Sequence, residues 1–259
     1  MRKLLLLLTT VALTFGADMS AKDVMQKVKD RDKGQKVVSD LQMILVGKGG
    51  NKRIRSIKSY SLDLGDTTKK AIFFLSPADV ANTAFLSYDY DGDKSDDQWM
   101  YLPALKKTKR IPTSDKSGSF MGSDFTNSDM TEPDIEAYNY KMIKETKFKG
   151  YDVYVIETTP KSQATIDETG YSKSEVYVRK DNFMVIAGKH YLANSNDIKL
   201  MQVGEFKEVG GIWFGTKMSM ATKENGKIVH QTLMIQSNIS LEPSLKEDDF
   251  SIRAIEKGL

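Results

Sequence analysis

Asp97-Gln98-Trp99-Met100-Tyr101-Leu102-Pro103-Ala104-Leu105-Lys106-Lys107-Thr108-Lys109-Arg110-Ile111, continued by the loop Ser119-Phe120-Met121-Gly122-Ser123-Asp124-Phe125, is the stretch on which the fold reading turns. Trp99 and Tyr101 alternate as in a strand, and a basic turn leads into a second strand over 109–112. A long loop over 113–133 follows. Its small residues loosen the backbone, while Phe120, Met121 and Phe125 are too apolar to face water willingly. The arrangement suits gripping and covering something greasy, and it contains no catalytic centre.

Outward from this stretch the chain keeps a strand period almost everywhere. Further strands are expected over 37–46, 53–64, 70–75, 83–90, 98–102, 138–148, 151–158, 174–179, 184–192, 199–209, 213–222 and 227–239. Turn residues separate them, among them Lys149-Gly150, Gly210-Gly211 and Glu224-Asn225-Gly226. So many consecutive antiparallel strands imply a strongly curved sheet, since a flat one of that width would be unusual. A barrel and a half-barrel both satisfy the pattern. A charged helix is expected over 20–34, with Ser20 as its cap and Val24, Met25 and Val28 on its apolar side, and a short helix over 248–256 closes the chain. Phe73 with Leu75, Trp99 with Tyr101, Val153 with Val155 and Met218 with Met220 alternate as apolar pairs, which a solid core and a cavity wall explain equally.

The ends and the composition set limits. Arg2 and Lys3, an apolar run over 4–15 and the small residues Gly16 and Ala17 read as a secretory signal peptide over 1–17, leaving 18–259 as one domain. The apolar run is shorter than the roughly 20 residues that a membrane span needs. No cysteine stands at the junction, so the exported chain is expected to be soluble rather than acylated. Without 1–17 the chain keeps 36 basic and 35 acidic side chains, a net charge of +1, which removes the electrostatic argument for nucleic acid. There is no cysteine, and His190 and His230 are the only histidines, which excludes thiolate chemistry and a multi-histidine metal centre.

Several motifs admit a bland and a functional reading. Lys106, Lys107, Lys109 and Arg110 form the densest basic patch, either a solvated hairpin edge or a contact for an anionic headgroup or partner. Asp89-Tyr90-Asp91-Gly92-Asp93-Lys94 departs from a calcium loop, because Lys94 takes the place of the required glycine and Met100 that of the glutamate. An acidic hairpin turn is the better reading. The 13 methionines suit a pocket for flexible chains as well as an ordinary core. No nucleophile elbow, phosphate loop or dinucleotide fingerprint is present, and each histidine lies within a strand, so no enzyme is expected and no cofactor or metal is assigned.

The opening stretch and the tail Phe250-Ser251-Ile252-Arg253-Ala254-Ile255-Glu256-Lys257 resemble the outer-membrane lipoprotein-sorting family of the LolA-like superfamily. Asp134-Ile135-Glu136-Ala137-Tyr138-Asn139-Tyr140, Gly150-Tyr151-Asp152-Val153-Tyr154-Val155-Ile156-Glu157 and Tyr177-Val178-Arg179-Lys180-Asp181-Asn182-Phe183 resemble its middle and later parts. The resemblance implies a mainly β fold of LolA/LppX type: a single antiparallel, strongly curved sheet forming an open half-barrel, with covering helices and a lid loop. It implies a periplasmic carrier that holds lipid or lipoprotein acyl chains in an apolar cavity and moves them toward the outer membrane. The alternative is an adaptor docked on an RND-type inner-membrane transporter that carries no cargo freely. The expected cavity residues are Phe73, Leu75, Phe85, Trp99, Tyr101, Phe120, Met121, Phe125, Met218 and Met220; the four basic residues are the expected headgroup or partner contact. The expected partners are a lipid or acylated lipoprotein and such a transporter, with the chain itself a monomer.

Overall fold

In the computed structural model, which describes residues 19–92, 94–242 and 244–258, thirteen strands make one antiparallel sheet. The expected signal peptide lies outside the described residues. In chain order the elements are α1 (Ala21–Lys29), β1 (Lys36–Val46), β2 (Lys52–Asp63), β3 (Thr67–Ser76), β4 (Ala84–Tyr90), β5 (Asp97–Leu102), β6 (Lys107–Arg110), β7 (Tyr138–Phe148), β8 (Tyr151–Pro160), α2 (Gln163–Thr169), β9 (Tyr171–Arg179), β10 (Val185–Leu192), β11 (Ile198–Val209), β12 (Ile212–Glu224), β13 (Lys227–Leu241) and α3 (Ile252–Lys257).

The spatial order is β6-β5-β4-β3-β2-β1-β13-β12-β11-β10-β9-β8-β7. The chain therefore starts in the middle of the sheet and zigzags out to β6. It crosses to the far edge at β7, then zigzags back until β13 pairs with β1. Strands β6 and β7 do not pair, so the sheet is an open half-barrel rather than a barrel. Register shifts between Val38 and Asp40, Met142 and Lys144, Val185 and Ala187, and Val203 and Glu205 mark bulges, which bend a sheet. Three hairpins close through the residue pairs Lys149-Gly150, Gly210-Gly211 and Asn225-Gly226, all with positive φ, as the twist of two-residue hairpin loops requires.

Both faces of one half of the sheet are covered. In β3, Ile72 and Phe74 face the inner side with Met43, Ile57, Phe85, Phe120 and Phe125, whereas Ala71 and Phe73 face the outer side with Leu86, Leu245, Phe250 and Ile255. Segment 111–137 covers the inner face and the C-terminal segment covers the outer one. The consecutive buried residues Ala71, Ile72, Phe73 and Phe74 follow from that double cover.

The helices differ from expectation at their ends. Ser20 caps α1 with a reciprocal bond from Asp23, and Val24, Met25 and Val28 pack on Ile156, Val176 and Val178; but the helix stops at Lys29, because the run Asp30-Arg31-Asp32-Lys33 offers nothing apolar to bury. The C-terminal helix is split: a 3-10 turn over Glu247–Phe250 precedes α3, which Ser251 caps. Helix α2 has no counterpart among the expected elements. It is short, with Ser162 as its cap and Gly170 as a left-handed terminus.

Candidate functional site

The connection between the two sheet edges builds the site. Segment 111–137 must cross the whole inner face, because β6 and β7 lie at opposite ends of the strand order. It is anchored at its centre by Phe120, which is fully buried with ring centroids 6.1 Å from Phe74 and 5.1 Å from Phe85. Asp124 beside it is buried too. Its carboxylate accepts hydrogen bonds from Thr222 Oγ1 at 2.6 Å and Thr232 Oγ1 at 2.7 Å and meets His230 Nδ1 at 2.6 Å. The Arg55 guanidinium donates to the Met121 carbonyl, Gln98 donates to the Asn127 carbonyl, and buried Lys116 pairs with Glu168 of α2. A buried carboxylate without such partners would be costly, so these bonds fix the segment's position over the sheet. The segment is a strap across the half-barrel.

Beside the strap, a cavity of about 480 Å³ lies between its second half, α1, and the inner face of strands β8 to β12. Phe125, Val176, Met201, Met218 and Met220 make an apolar wall. Tyr138, Tyr140, Tyr171, Ser174 and His190 also line the cavity, Ser174 and His190 on the same sheet face as Val176 and Met201, and Asp89, Asp91, Lys94, Asp96 and Glu132 are among the rest of the lining. The volume is within the range of small-molecule sites, as is the mixture of an apolar wall with a few polar groups.

The polar side is internally bonded. Tyr171 donates its hydroxyl to Asp129, 3.0 Å from Oδ2, and its ring stacks on His190 at 4.9 Å; Ser174 Oγ lies 2.8 Å from His190 Nδ1. Burial holds the Tyr171 and Tyr140 hydroxyls far above the ordinary tyrosine range and pushes Tyr138 up to about 12. Burial likewise lowers the His190 pKa, so that its imidazole is neutral at pH 7. At the rim, burial and the neighbouring Asp96 push the Asp89 carboxyl up to about 7.

The expected cavity residues divide between the two faces. Phe85, Phe120, Met121, Phe125, Met218 and Met220 share the inner cluster, and Phe125, Met218 and Met220 line the cavity. Phe73, Trp99 and Tyr101 point the other way, into the outer cluster under Phe250 and Ile255, and Leu75 at the end of β3 is 50% exposed. The cause is register: Trp99 opposes Leu86, an outer-face residue, and Tyr101 opposes Ala84. One residue of offset decides the face, and alternation within a strand does not reveal it.

Lys107, Lys109 and Arg110 are exposed on edge strand β6, and Lys106 is exposed in the turn before it; none of the four lines the cavity. Arg110 pairs with Asp97, and Thr108 between them donates to Glu256 of α3. Of the acidic stretch, Asp89 and Tyr90 end β4 and Asp97 opens β5, and Asp89, Asp91 and Asp96 contribute to the cavity rim. Tyr138, Tyr140, Tyr171, Met201, Ser174 and His190 are site residues that the sequence alone does not single out. All but Tyr171, which lies three residues before the expected strand over 174–179, sit in an expected strand, so parity with a known inner residue, such as Met201 opposite Met220, is the signal that identifies them.

Among the described residues, no helix is long and apolar enough to cross a membrane. A family model described as "Uncharacterized protein" matches residues 66–257. Two solved structures are 31% identical to the chain and cover 91% of it. A Vibrio parahaemolyticus domain described as outer membrane lipoprotein-sorting superposes with a TM-score of 0.83 over 98% of its own length. A DUF1329 family protein from Desulfovibrio piger gives a TM-score of 0.82 over 97% of its length. A LolA superfamily protein from Nitrosomonas europaea, 16% identical, shares the fold with a TM-score of 0.68, covering 90% of this chain and 97% of its own. A search of curated proteins gives no match.

Proposed function

Since the chain belongs to the outer-membrane lipoprotein-sorting family of the LolA-like superfamily, we propose that it is a periplasmic carrier that shields the acyl part of a lipid or lipoprotein in the strap-covered cavity and moves it toward the outer membrane. The observation that carries this reading is the wall of Met201, Met218 and Met220 beneath Phe125, an unbranched and adaptable surface beside open volume. At about 0.8 kcal/mol per methylene, a 16-carbon chain exposes on the order of 12 kcal/mol of hydrophobic free energy to water. Crossing an aqueous compartment unshielded is therefore prohibitive. A carrier must also let go, and an open sheet whose apolar wall is interrupted by polar groups competes with a bilayer without greatly exceeding it.

The work is sequestration, with no covalent step. The exposed basic edge carrying Lys106, Lys107, Lys109 and Arg110 lies away from the cavity, which favours a partner contact over a headgroup contact for these residues. An RND-type transporter with an acidic surface is the partner that edge would meet, with the carrier docking as a monomer. Native mass spectrometry of the chain purified from its own periplasm tests the reading. A bound lipid mass is expected; a chain recovered empty with a retained membrane protein would favour the adaptor.

A further inference from the structure

The polar side of the cavity is more elaborate than the shielding of a bare hydrocarbon requires, and one of its groups is left open. His190 Nδ1 is engaged by Ser174 Oγ at 2.8 Å, but Nε2 has no hydrogen-bond partner among the described residues. The Nε2 edge of the ring lies over Gly188, where any Cβ would come within 2.8 Å of Nε2, and Met201 Cβ lies 3.6 Å from the same point. Glycine weakens a strand interior and tends to mark a place where something approaches closely. Here it makes room for the imidazole and leaves Nε2 beside the methionine wall. His190 and Met201 both line the cavity.

We infer that His190 Nε2 is a recognition point for an uncharged oxygen, a hydroxyl or a carbonyl, carried by the amphiphile whose apolar body lies against Met201, Met218 and Met220. The inference rests on the carrier reading and names the class of cargo. Three observations point to an uncharged group. The imidazole is one hydrogen-bonding site that donates or accepts according to tautomer, matching a carbonyl or a hydroxyl. The charges nearby oppose each other: Asp129 holds the Tyr171 hydroxyl, and Lys199 Nζ lies 5.8 Å from the centre of the same ring. His190 is half-buried and its neighbours Tyr171 and Ser174 are each 8% exposed, surroundings that penalise a charged head finding no partner of its own.

With His190 and His230 as the only histidines, nitrogen-15 labelling of histidine gives a spectrum simple enough to read the contact directly. The probes are dodecane, dodecanol and methyl decyl ketone. Dodecanol or the ketone should move the His190 Nε2 resonance and leave His230 in place, and should bind about tenfold more tightly than dodecane, the factor that one net hydrogen bond supplies. A carbonyl can only accept from Nε2–H, whereas a hydroxyl can also donate to an unprotonated Nε2, so a shift of Nε2 toward the unprotonated range identifies a donating hydroxyl. His190→Phe should abolish the preference while still binding dodecane, and His190→Gln, whose side-chain amide supplies a donor and an acceptor in place of the imidazole nitrogens, should restore part of it. If Phe at 190 prevents folding, the wild-type resonance decides. Equal affinities with His190 unmoved would overturn the inference and leave the carrier standing; failure of every probe to bind would overturn both.

Discussion

At the scale of the residue, Asp124 holds the strap. It is a carboxylate inside the sheet's inner face, bonded to Thr222, Thr232 and His230; its removal takes this partner from Thr222 and His230 and leaves Thr232 only the backbone N–H of residue 124, which its hydroxyl oxygen accepts. Asp124→Ala is expected to lower unfolding stability by about 3 kcal/mol, read as a drop in the urea midpoint, since breaking a buried pair leaves its partner uncompensated. Asp89 gives a pH-dependent counterpart. Its folded pKa of about 7 lies above the ordinary 3.8, so the folded state binds the proton more tightly than the unfolded state. Its contribution is therefore fully present below about pH 4 and is lost as pH rises toward 7. Asp89→Asn should flatten that slope, matching wild type at about pH 4 and exceeding it at about pH 8; an unchanged slope would assign the loss to other groups.

At the scale of the element, the sequence is legible where local rules act. Strand positions, the three two-residue hairpins, the Ser20 cap and the apolar face of α1 all follow from residue type and spacing. Two things do not follow. The face to which a strand's odd or even residues point depends on pairing with its neighbour, so reading along the chain cannot separate Trp99 and Tyr101 from Phe85. The glycines and serines of the strap read as signs of a loose lid, because the bonds that hold it come from Thr222, His230 and Thr232, far away in sequence. The division of faces is testable. Phe250→Ala empties a fully buried position beneath α3 and should cost about 3 to 5 kcal/mol of stability, while acyl-probe affinity under native conditions stays unchanged. A matching loss of affinity would mean that the outer face contributes to binding.

At the scale of the whole molecule, an open sheet solves a problem that a closed barrel does not. The chain starts in the middle, so its two halves end at edges that never meet, and the strap that joins them must cross the inner face. Crossing there divides the concavity. One side is filled by Phe74, Phe85 and Phe120, and the other is left as the cavity of about 480 Å³. The fold class is legible through strand number and family resemblance, but this asymmetry is not, since it depends on where the strap is tied. The most direct test is to irradiate the native chain with a long-chain alcohol bearing a photoreactive diazirine and map the adducts by peptide mass spectrometry. The account predicts labels on β11 and β12, around Met201, Met218 and Met220, and on the strap near Phe125. Labels on the outer-face peptides with Trp99, Tyr101 and Phe250, or a protein left unlabelled, would contradict it.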